Sequence, residues 1–552
     1  MADKVVKGNG MTRQLNVALA QVKLTVGAIE ANTDRVVDTV ARHSDADILV
    51  FPELTLTGYP LEDIVYRADL YAGLEHALER IKAASTDVAI MVGYPETDGQ
   101  AIFNAVSVFY QGLRIAHYRK QILPNYGEFD EKRYFTAGTG STVFEFKGHQ
   151  IGLLICEDLW QQAPIAGAKA AGAELILSTN ASPYEEYKAA QRLQVLHQRW
   201  AESGLPIVYV NQVGGQDELL FDGNSMVVDE HGQAAITLKH CAEDVVTAQF
   251  NDGKLVNNVD HGTDSADAAL YQALTLALHD YVSKNGFSSV LLGLSGGIDS
   301  ALTLALAVDA LGADRVRAVM MPYQYTADIS IEDAKQQAEW LGCQFDVVPV
   351  APMVDSFMQV VPGLTADKPR DTTEENLQAR CRGVLLMALS NKEGSLLLST
   401  GNKSELAVGY CTLYGDMCGG FAPIKDVYKE RVYDLARFRN TLGEAIPERV
   451  ITRPPSAELA PDQKDQDSLP PYSVLDEIIA AYVEQDQSLA DMINAGYDAE
   501  TVKRVVTLVD RNEYKRRQGA VGPKVTRRNF GRDRRYPITS RYLQSMLART
   551  ED

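Results

Sequence analysis

The chain has 552 residues, of which 45% are hydrophobic, 8% aromatic and 23% charged; this excludes a disordered or fibrous protein and, at such length, argues for two large domains. Lys plus Arg number 53 against 74 Asp plus Glu, a formal net charge of −21. So acidic a surface repels the phosphates of long nucleic acids and leaves small anionic substrates to local basic pockets.

Residues 1–10 lack the apolar core of a secretory leader, and no later stretch stays apolar long enough to cross a bilayer. The six cysteines form no CxxC pair and have no metal-type spacing with histidines, so disulfides and a zinc site are not expected. A cytoplasmic protein that engages neither membrane nor nucleic acid is the expectation.

From residue 15 to about 250, short β-branched runs alternate with helical stretches. Strands are predicted over 15–22, 48–51, 88–92, 106–110, 151–155, 175–178 and 207–210. Helices are predicted over 32–43, 70–85 and 187–203, where apolar residues recur at helical spacing. These make an α/β domain over 11–250. The segment 251–267 is polar, contains glycine and has no periodicity, and reads as a linker. In 268–552 a helix (269–285), a strand (289–294), a glycine turn, a helix (301–311), a strand (316–321) and a helix (331–341) alternate as in a parallel doubly wound sheet. Two polar stretches, 367–375 and 456–471, read as loops of the kind that form lids.

Cys156 follows the apolar run 151–155, so it stands where a strand ends and the chain turns. A thiol needs a base or a cation beside it to react as thiolate. Glu53 and Lys120 also follow strands, and three strand ends can converge in one crevice. Such a site makes Cys156 the nucleophile, Glu53 the general base and later proton donor, and Lys120 a fixed cation for the tetrahedral oxyanion. Taken singly, each residue has a bland explanation as a core thiol or a solvated charge. The words around them, PELTLTGYP, YRKQILPNYGEFDEKRYF and LLICEDLW, argue otherwise: they resemble, in the same chain order, the Glu-Lys-Cys motifs of the nitrilase or carbon–nitrogen hydrolase superfamily. That resemblance spans about 15–250. It implies a four-layer αββα sandwich, C–N bond hydrolysis through a thioester, Glu128 as a second carboxylate near the lysine, and Tyr126, Ser182 and Lys188 as glutamine contacts.

The word LLGLSGGIDSALTLAL, over 291–306, is a strand, a Gly-Gly turn and a helix start. Gly296 and Gly297 let the backbone approach phosphate, successive N–H groups and the helix end face the anion, and Ser295 and Ser300 add hydroxyls. No Gly-Lys-Ser/Thr follows, so this is not a Walker A loop. SGGIDS resembles instead the PP-loop of ATP pyrophosphatases, which release AMP and pyrophosphate. The resemblance implies a Rossmann-like parallel α/β domain, with Ser295, Gly296, Gly297, Ile298 and Ser300 around the phosphates of ATP and Asp299 near the magnesium.

GMP synthetases, asparagine synthetases and tRNA-modifying enzymes share that loop. The words ENLQARCRGVLLMALSN (375–391) and LLLSTGNKSELAVGYCTLYGDMCGGFAPIKDVYK (396–429) resemble the NAD synthetase family in order and spacing. This implies deamido-NAD contacts at Asn376, Arg380, Glu405, Asp416 and Lys515, ATP contacts at Thr400 and Lys429, and Mg2+ at Asp299 and Glu405. It also implies a homo-oligomer. Apart from Lys515, the basic islands RNEYKRRQ (511–518) and RRNFGRDRR (527–535) read as solvated faces. Together the resemblances imply a chain that frees ammonia from glutamine and, with ATP, puts it on deamido-NAD. Two alternatives stay open: an amidase whose second domain only binds nucleotide, and a tRNA-modifying enzyme, which the acidic charge disfavours.

Overall fold

The computed structural model describes residues 13–360, 371–460 and 463–549. The chain divides into two units: the first runs to Gly214 and resumes over Phe221–Thr263, and the second takes Gly215–Leu220 and everything from Asp264. The division therefore falls inside the segment 251–267 expected as a linker. The leader reading of 1–10 lies outside the described residues.

The first half of the first unit runs β1 (Gln14–Gln21), α1 (Ile29–Arg42), β2 (Ile48–Val50), α2 (Ala68–Ala84), β3 (Ala89–Thr97), β4 (Ile102–Tyr110), β5 (Leu113–Arg119) and α3 (Glu131–Tyr134). Then come β6 (Val143–Phe146), β7 (His149–Ile155), α4 (Gln162–Ala170), β8 (Leu175–Asn180), α5 (Lys188–Ser203) and β9 (Ile207–Asn211). A ribbon of β10 (Val213–Gln216) and β11 (Leu219–Asp222) precedes β12 (Met226–Val228), β13 (Ala234–Thr237), β14 (Asp244–Asn251) and β15 (Lys254–Leu255). One mixed sheet has the order β15-β14-β1-β2-β3-β4-β5, the other β13-β12-β9-β8-β7-β6. In the second, β7, β8 and β9 are parallel, and their near-continuous apolar runs are what strands buried on both faces require.

Leu15, Val17, Val50, Met91 and Val106 of one sheet share a single core with Leu153, Ile176, Val208 and Val227 of the other. Helix α2 packs on β3 and β4, and α4 and α5 pack on the second sheet. The result is the expected αββα sandwich. The linker expectation needs correction: Phe250 pairs with Leu255, Ile236 bridges to Val259, and α6 (Ala266–Lys284) starts at Ser265, whose hydroxyl accepts from Ala268 N–H. The hairpin closes on the left-handed Asp252-Gly253 turn, a local signal, and the bridge to Ile236 adds a longer-range tie.

In the second unit β16 (Val290–Gly293), α7 (Ile298–Leu311), β17 (Val316–Met320), α8 (Asp328–Leu341), β18 (Gln344–Val347), α9 (Ala351–Val360), α10 (Thr372–Glu393) and β19 (Leu396–Leu398) follow one another. The strands lie in the order β18-β17-β16-β19, all parallel. Chain direction along the sheet reverses between β16 and β19, and the crevice beyond the carboxyl ends of such strands is where this architecture receives ligands. The Gly-Gly turn after β16 stands there.

The loop expected over 367–375 is shorter than that. Residues 361–370 lie outside the described chain, but α10 already begins at Thr372, started by a reciprocal cap between Asp371 and Glu374. Of the stretch 456–471, residues 461 and 462 lie outside the described chain, and 465–467 form a single 3₁₀ turn.

Helices α11 (Lys403–Val408), α12 (Lys429–Thr441), α13 (Glu448–Thr452), α14 (Tyr472–Ile479), α15 (Leu489–Asn494), α16 (Ala499–Arg511) and α17 (Glu513–Arg516) complete the part that concerns the site. On α16, Val502, Val505, Val506 and Val509 fall on one stripe. They are buried with Leu475, Ile478 and Ile479 of α14 against Ala407 and Val408 of α11. Among the described residues, no helix is long and apolar enough to cross a membrane, and all six cysteines are free.

Candidate active sites

In the first unit, Glu53 follows β2, Lys120 follows β5 and Cys156 follows β7, so strand ends from both sheets meet. Lys120 Nζ donates to Glu53 Oε1 at 2.7 Å and to Glu131 Oε1 at 2.8 Å. Glu53 Oε1 also accepts from Asn104 Nδ2 at 2.7 Å, and its Oε2 from Ala181 N–H at 3.1 Å. All three charged side chains are buried. Such charges persist away from water only because each is paired and hydrogen bonded.

Burial pushes the Cys156 thiol well above its ordinary value, and the negative charge of Glu53 adds to this while Lys120 opposes it. At rest the sulfur therefore holds its proton, with Glu53 as the nearby acceptor. Burial alone lowers Lys120, but Glu131 and Glu53 outweigh it and hold the ammonium charged. Burial raises Glu131 to about 7.

A second carboxylate on the lysine is thus Glu131, which the sequence reading did not single out. The first turn of α3 carries Glu131 inward, where it also accepts from Tyr59 OH at 2.9 Å, whereas Glu128 is part-exposed in the preceding loop. Both lie in one charged word, and nothing local in it singles out Glu131.

Cys156 has a left-handed backbone, φ 45°, which is strained for a residue with a side chain and needs support. Asp158 supplies it. Its Oδ2 accepts from Ile155 N–H at 3.1 Å and Tyr118 OH at 2.8 Å, and its Oδ1 from Gln121 N–H at 3.1 Å and Ile122 N–H at 2.9 Å. One buried carboxylate thereby ties the nucleophile turn to the loop that begins at Lys120. An amide at this position turns a donor toward donors, so Asp158→Asn is expected to cut glutamine-dependent turnover by about 10- to 100-fold, each lost bond to a charged group being worth about 1.5–3 kcal/mol. Turnover with ammonium salts, which bypasses this site, is expected to stay at the native level; an equal loss of both removes the positioning account.

Beside the sulfur, Tyr126 OH donates to Glu157 Oε2 at 2.9 Å. Burial raises the Glu157 carboxyl, against the pull of Tyr126, Lys120 and Lys188. Lys188 lies 3.4 Å from Glu185 and its Nζ 4.8 Å from the centre of the Trp160 ring. Ser182 is buried, and its backbone exchanges hydrogen bonds with the Asn211 amide at 2.8 and 3.2 Å. Of these, Glu157 escaped the sequence reading although it directly follows Cys156; its charge there was the available signal.

In the second unit a cavity of about 290 Å3 is lined by Ser295, Gly297, Ile298, Asp299 and Ser300 of the turn, and by Thr400, Glu405, Asp416 and Lys429. Ser295 Oγ accepts from Gly297 N–H at 3.2 Å and meets Ser300 Oγ at 3.1 Å, which folds the turn onto the start of α7. Gly296 has φ 80°, and a Cβ there would lie 2.4 Å from Ser330 O, so only glycine fits.

Lys429 Nζ bridges Asp299 Oδ2 at 2.5 Å and Glu405 Oε1 at 3.0 Å, and Asn402 Nδ2 donates to Asp299 Oδ1 at 2.8 Å. Burial lifts the Glu405 carboxyl to about 8 while Lys429 pulls it down. The Asp416 carboxyl is also lifted by burial, to about 6, and accepts from Thr412 N–H at 2.8 Å.

The remaining candidates surround the loop 409–416. Thr412 Oγ1 donates to Asn376 Oδ1 at 2.8 Å, exposed Arg380 donates to Leu413 O at 3.2 Å, and Lys515 Nζ donates to Gly409 O at 2.8 Å and Cys411 O at 2.9 Å. Arg382, not singled out in the sequence, lines the cavity with Nε on Met321 O at 3.0 Å.

A family model described as carbon-nitrogen hydrolase matches residues 16–255, and one described as NAD synthase matches 270–519. The fold and the two sites therefore define a carbon–nitrogen hydrolase joined in one chain to an NAD synthase. The glutamine-dependent NAD(+) synthetases of Acinetobacter baylyi and Xanthomonas campestris pv. campestris are 50% and 51% identical, each covering 96% of this chain and 99% and 98% of theirs. The glutamine-dependent NAD+ synthetase of Acinetobacter baumannii, solved with ADP, is 48% identical with a TM-score of 0.78, covering 95% of this chain and 98% of that one. A Cytophaga hutchinsonii synthetase, 22% identical with a TM-score of 0.85 over 98% of this chain and 100% of its own, shares the fold. The chain belongs to the glutamine-dependent NAD(+) synthetase family.

Proposed function

We propose that the chain amidates deamido-NAD to NAD with ammonia taken from glutamine, consuming ATP and leaving AMP, pyrophosphate and glutamate. The observation that carries this reading is the presence, in one chain, of a buried Cys-Glu-Lys site and a phosphate-binding turn opening on a cavity where a lysine joins two carboxylates.

In the first unit, Lys188 takes the α-carboxylate of glutamine and Glu157 its α-ammonium, opposite charges recognising a zwitterion, with Tyr126 and Ser182 alongside. Cys156 Sγ attacks the side-chain amide carbon while its proton passes to Glu53, and Lys120 stabilises the oxyanion. Glu53 then protonates the departing amine. Water cleaves the thioester with Glu53 again as base.

In the second unit, the nicotinate carboxylate attacks the α-phosphorus of ATP and expels pyrophosphate. Ammonia attacks the resulting acyl adenylate and AMP departs. Ser295, Gly296, Gly297, Ile298 and Ser300 hold the phosphates, Thr400 and Lys429 hold ATP, and Asn376, Arg380, Glu405, Asp416 and the third donor of Lys515 meet deamido-NAD. Asp299 and Glu405 fit Mg2+, since two hard carboxylate oxygens converge on one point, now taken by the Lys429 ammonium. When bound, that ion neutralises phosphate charge. Among the described residues no cluster of three His, Cys, Asp or Glu could hold a metal, so these two carboxylates would hold the ion together with the phosphates of the substrate. We place the enzyme in the cytoplasm as a homo-oligomer.

The test is to supply amide-15N glutamine, deamido-NAD and Mg-ATP. The expected result is 15N in the nicotinamide amide with one AMP and one pyrophosphate per NAD. ADP and phosphate as products, or no NAD, overturn the reading.

A further inference from the structure

The basic word RNEYKRRQ is a solvated face only in part, with Arg511 and Arg517 exposed. Arg516 is buried, as is Arg534 of the second basic island. Arg516 Nη1 donates to Ala407 O at 2.6 Å and Leu406 O at 3.3 Å. Asn512 Nδ2 donates to Val408 O at 2.8 Å, and Lys515 Nζ reaches Gly409 O and Cys411 O. These acceptors are the closing carbonyls of α11 and the chain just beyond it, the groups a helix end leaves without partners of its own. Cations are favoured at that end, where the helix dipole is negative.

The fit is close as well as polar. Gly409 ends α11 with φ 72°, and a Cβ there would fall 2.1 Å from Asn512 Cγ; the space glycine leaves open is filled by Asn512. Arg516 is held in turn by Glu513 Oε2 at 2.8 Å and lies 4.6 Å from the Phe530 ring centre. Segment 512–516 is therefore a fixed clamp on the closing carbonyls of α11.

What α11 carries gives the clamp its meaning. Its N-cap Asn402 accepts from Glu405 N–H at 3.0 Å and donates to Asp299. Ser404 Oγ accepts from Lys429 N–H at 2.9 Å, and Glu405 is bonded to Lys429 Nζ. Every group of α11 and its cap that touches the Asp299–Lys429–Glu405 constellation sits within four consecutive residues of a helix only six residues long. Too short to be stable alone, that helix takes its place from the packing of Ala407 and Val408 on α14 and α16 and from the bonds at its two ends.

We infer that Arg516 and Asn512 are positioning residues of the synthetase reaction: by gripping the closing carbonyls of α11 they set Glu405 against Lys429 and Asp299. This rests on the reading of Glu405 as part of the synthetase site. Neither residue needs to touch substrate. A displacement of about 1 Å at a reacting centre is worth about 100-fold in rate, so loosening the clamp is visible in turnover.

The test uses the full chain, with ammonium chloride, deamido-NAD and Mg-ATP. Arg516→Gln and Asn512→Ala are expected to lower kcat for NAD formation by about 10- to 100-fold, with a smaller rise in KM for deamido-NAD and glutamine hydrolysis at the native rate; Arg516→Lys recovers part of the loss. In a Glu405→Gln background, Arg516→Gln is expected to cost less than about threefold more, because residues acting through one group do not add. Native kcat in both single variants, or a full additive loss in the double variant, overturns the inference. Should Arg516→Gln not fold by circular dichroism, Asn512→Ala decides alone. A Glu405→Gln enzyme with native kcat strikes the underlying site assignment instead, and the single variants distinguish that failure from failure of the clamp.

Discussion

Replacing Cys156 with alanine is expected to lower NAD formation from glutamine by at least about three orders of magnitude while leaving formation from ammonium at its native rate. The size follows from covalent catalysis: without the sulfur there is no thioester, and what remains is only the orientation and oxyanion stabilisation of the surrounding groups. The selectivity follows from the separation of tasks. Cys156 belongs to a buried constellation in the first unit, whose partners Glu53, Lys120 and Glu131 bond to one another, and the adenylating groups all belong to the second unit. The fold should survive, because a buried thiol replaced by a methyl group leaves only a small void. Assaying both nitrogen sources side by side gives the result. If the ammonium-dependent rate falls with the glutamine-dependent one, Cys156 has a part in the second reaction and the division of labour fails; if neither falls, the nucleophile is elsewhere.

The division between what could be read in the sequence and what could not has a physical pattern. The strands 151–155, 175–178 and 207–210 were legible as apolar runs because parallel strands buried on both faces have no polar side to show. Glu53, Lys120 and Cys156 each stand just after a strand, but it was the words around them that set them apart from a core thiol or a solvated charge. The SGGIDS turn was legible because Gly296 and Gly297 answer local backbone demands, a left-handed φ and an open N-terminus. What stayed hidden depends on partners far along the chain. Glu131 reaches Lys120 because of how α3 turns it inward. Val259 is tied back to Ile236 by a bridge that nothing near it in the sequence announces. Arg516 is buried because carbonyls some 110 residues earlier need donors, while Arg511 and Arg517 of the same basic run stay at the surface.

Removal of the charge at Lys429 is expected to abolish NAD formation with either nitrogen source, by about 100- to 1,000-fold, the effect of deleting one preorganised electrostatic group. Lys429 is almost fully buried and its ammonium is shared between Asp299 and Glu405. Lys429→Met therefore does two things. It takes away a cation beside the phosphate-binding turn, and it leaves Asp299 and Glu405 facing each other without the ammonium that pulls the buried Glu405 carboxyl down, so the pair keeps both charges only against their repulsion. Uncompensated buried charge of this kind costs about 3–5 kcal/mol, so the variant should also melt at a lower temperature. These two consequences separate in a double variant. Lys429→Met with Glu405→Gln removes the repulsion and is expected to recover most of the lost thermal stability, because the two sites are in contact and their effects do not add. It is not expected to recover activity, since the cation is still missing. Lys429→Arg keeps the charge but spreads it over a planar fork too large for a gap spanned by bonds of 2.5 and 3.0 Å, and should fall between native and Met in rate. Glutamine hydrolysis by the first unit, followed as glutamate with deamido-NAD and ATP present, is the internal control. If Lys429→Met turns over at the native rate, the bridging ammonium only balances buried charge and the phosphate contact belongs to another cation of the cavity, of which Arg382 is the first to test; if activity returns with stability in the double variant, the loss came from repulsion and not from the missing cation.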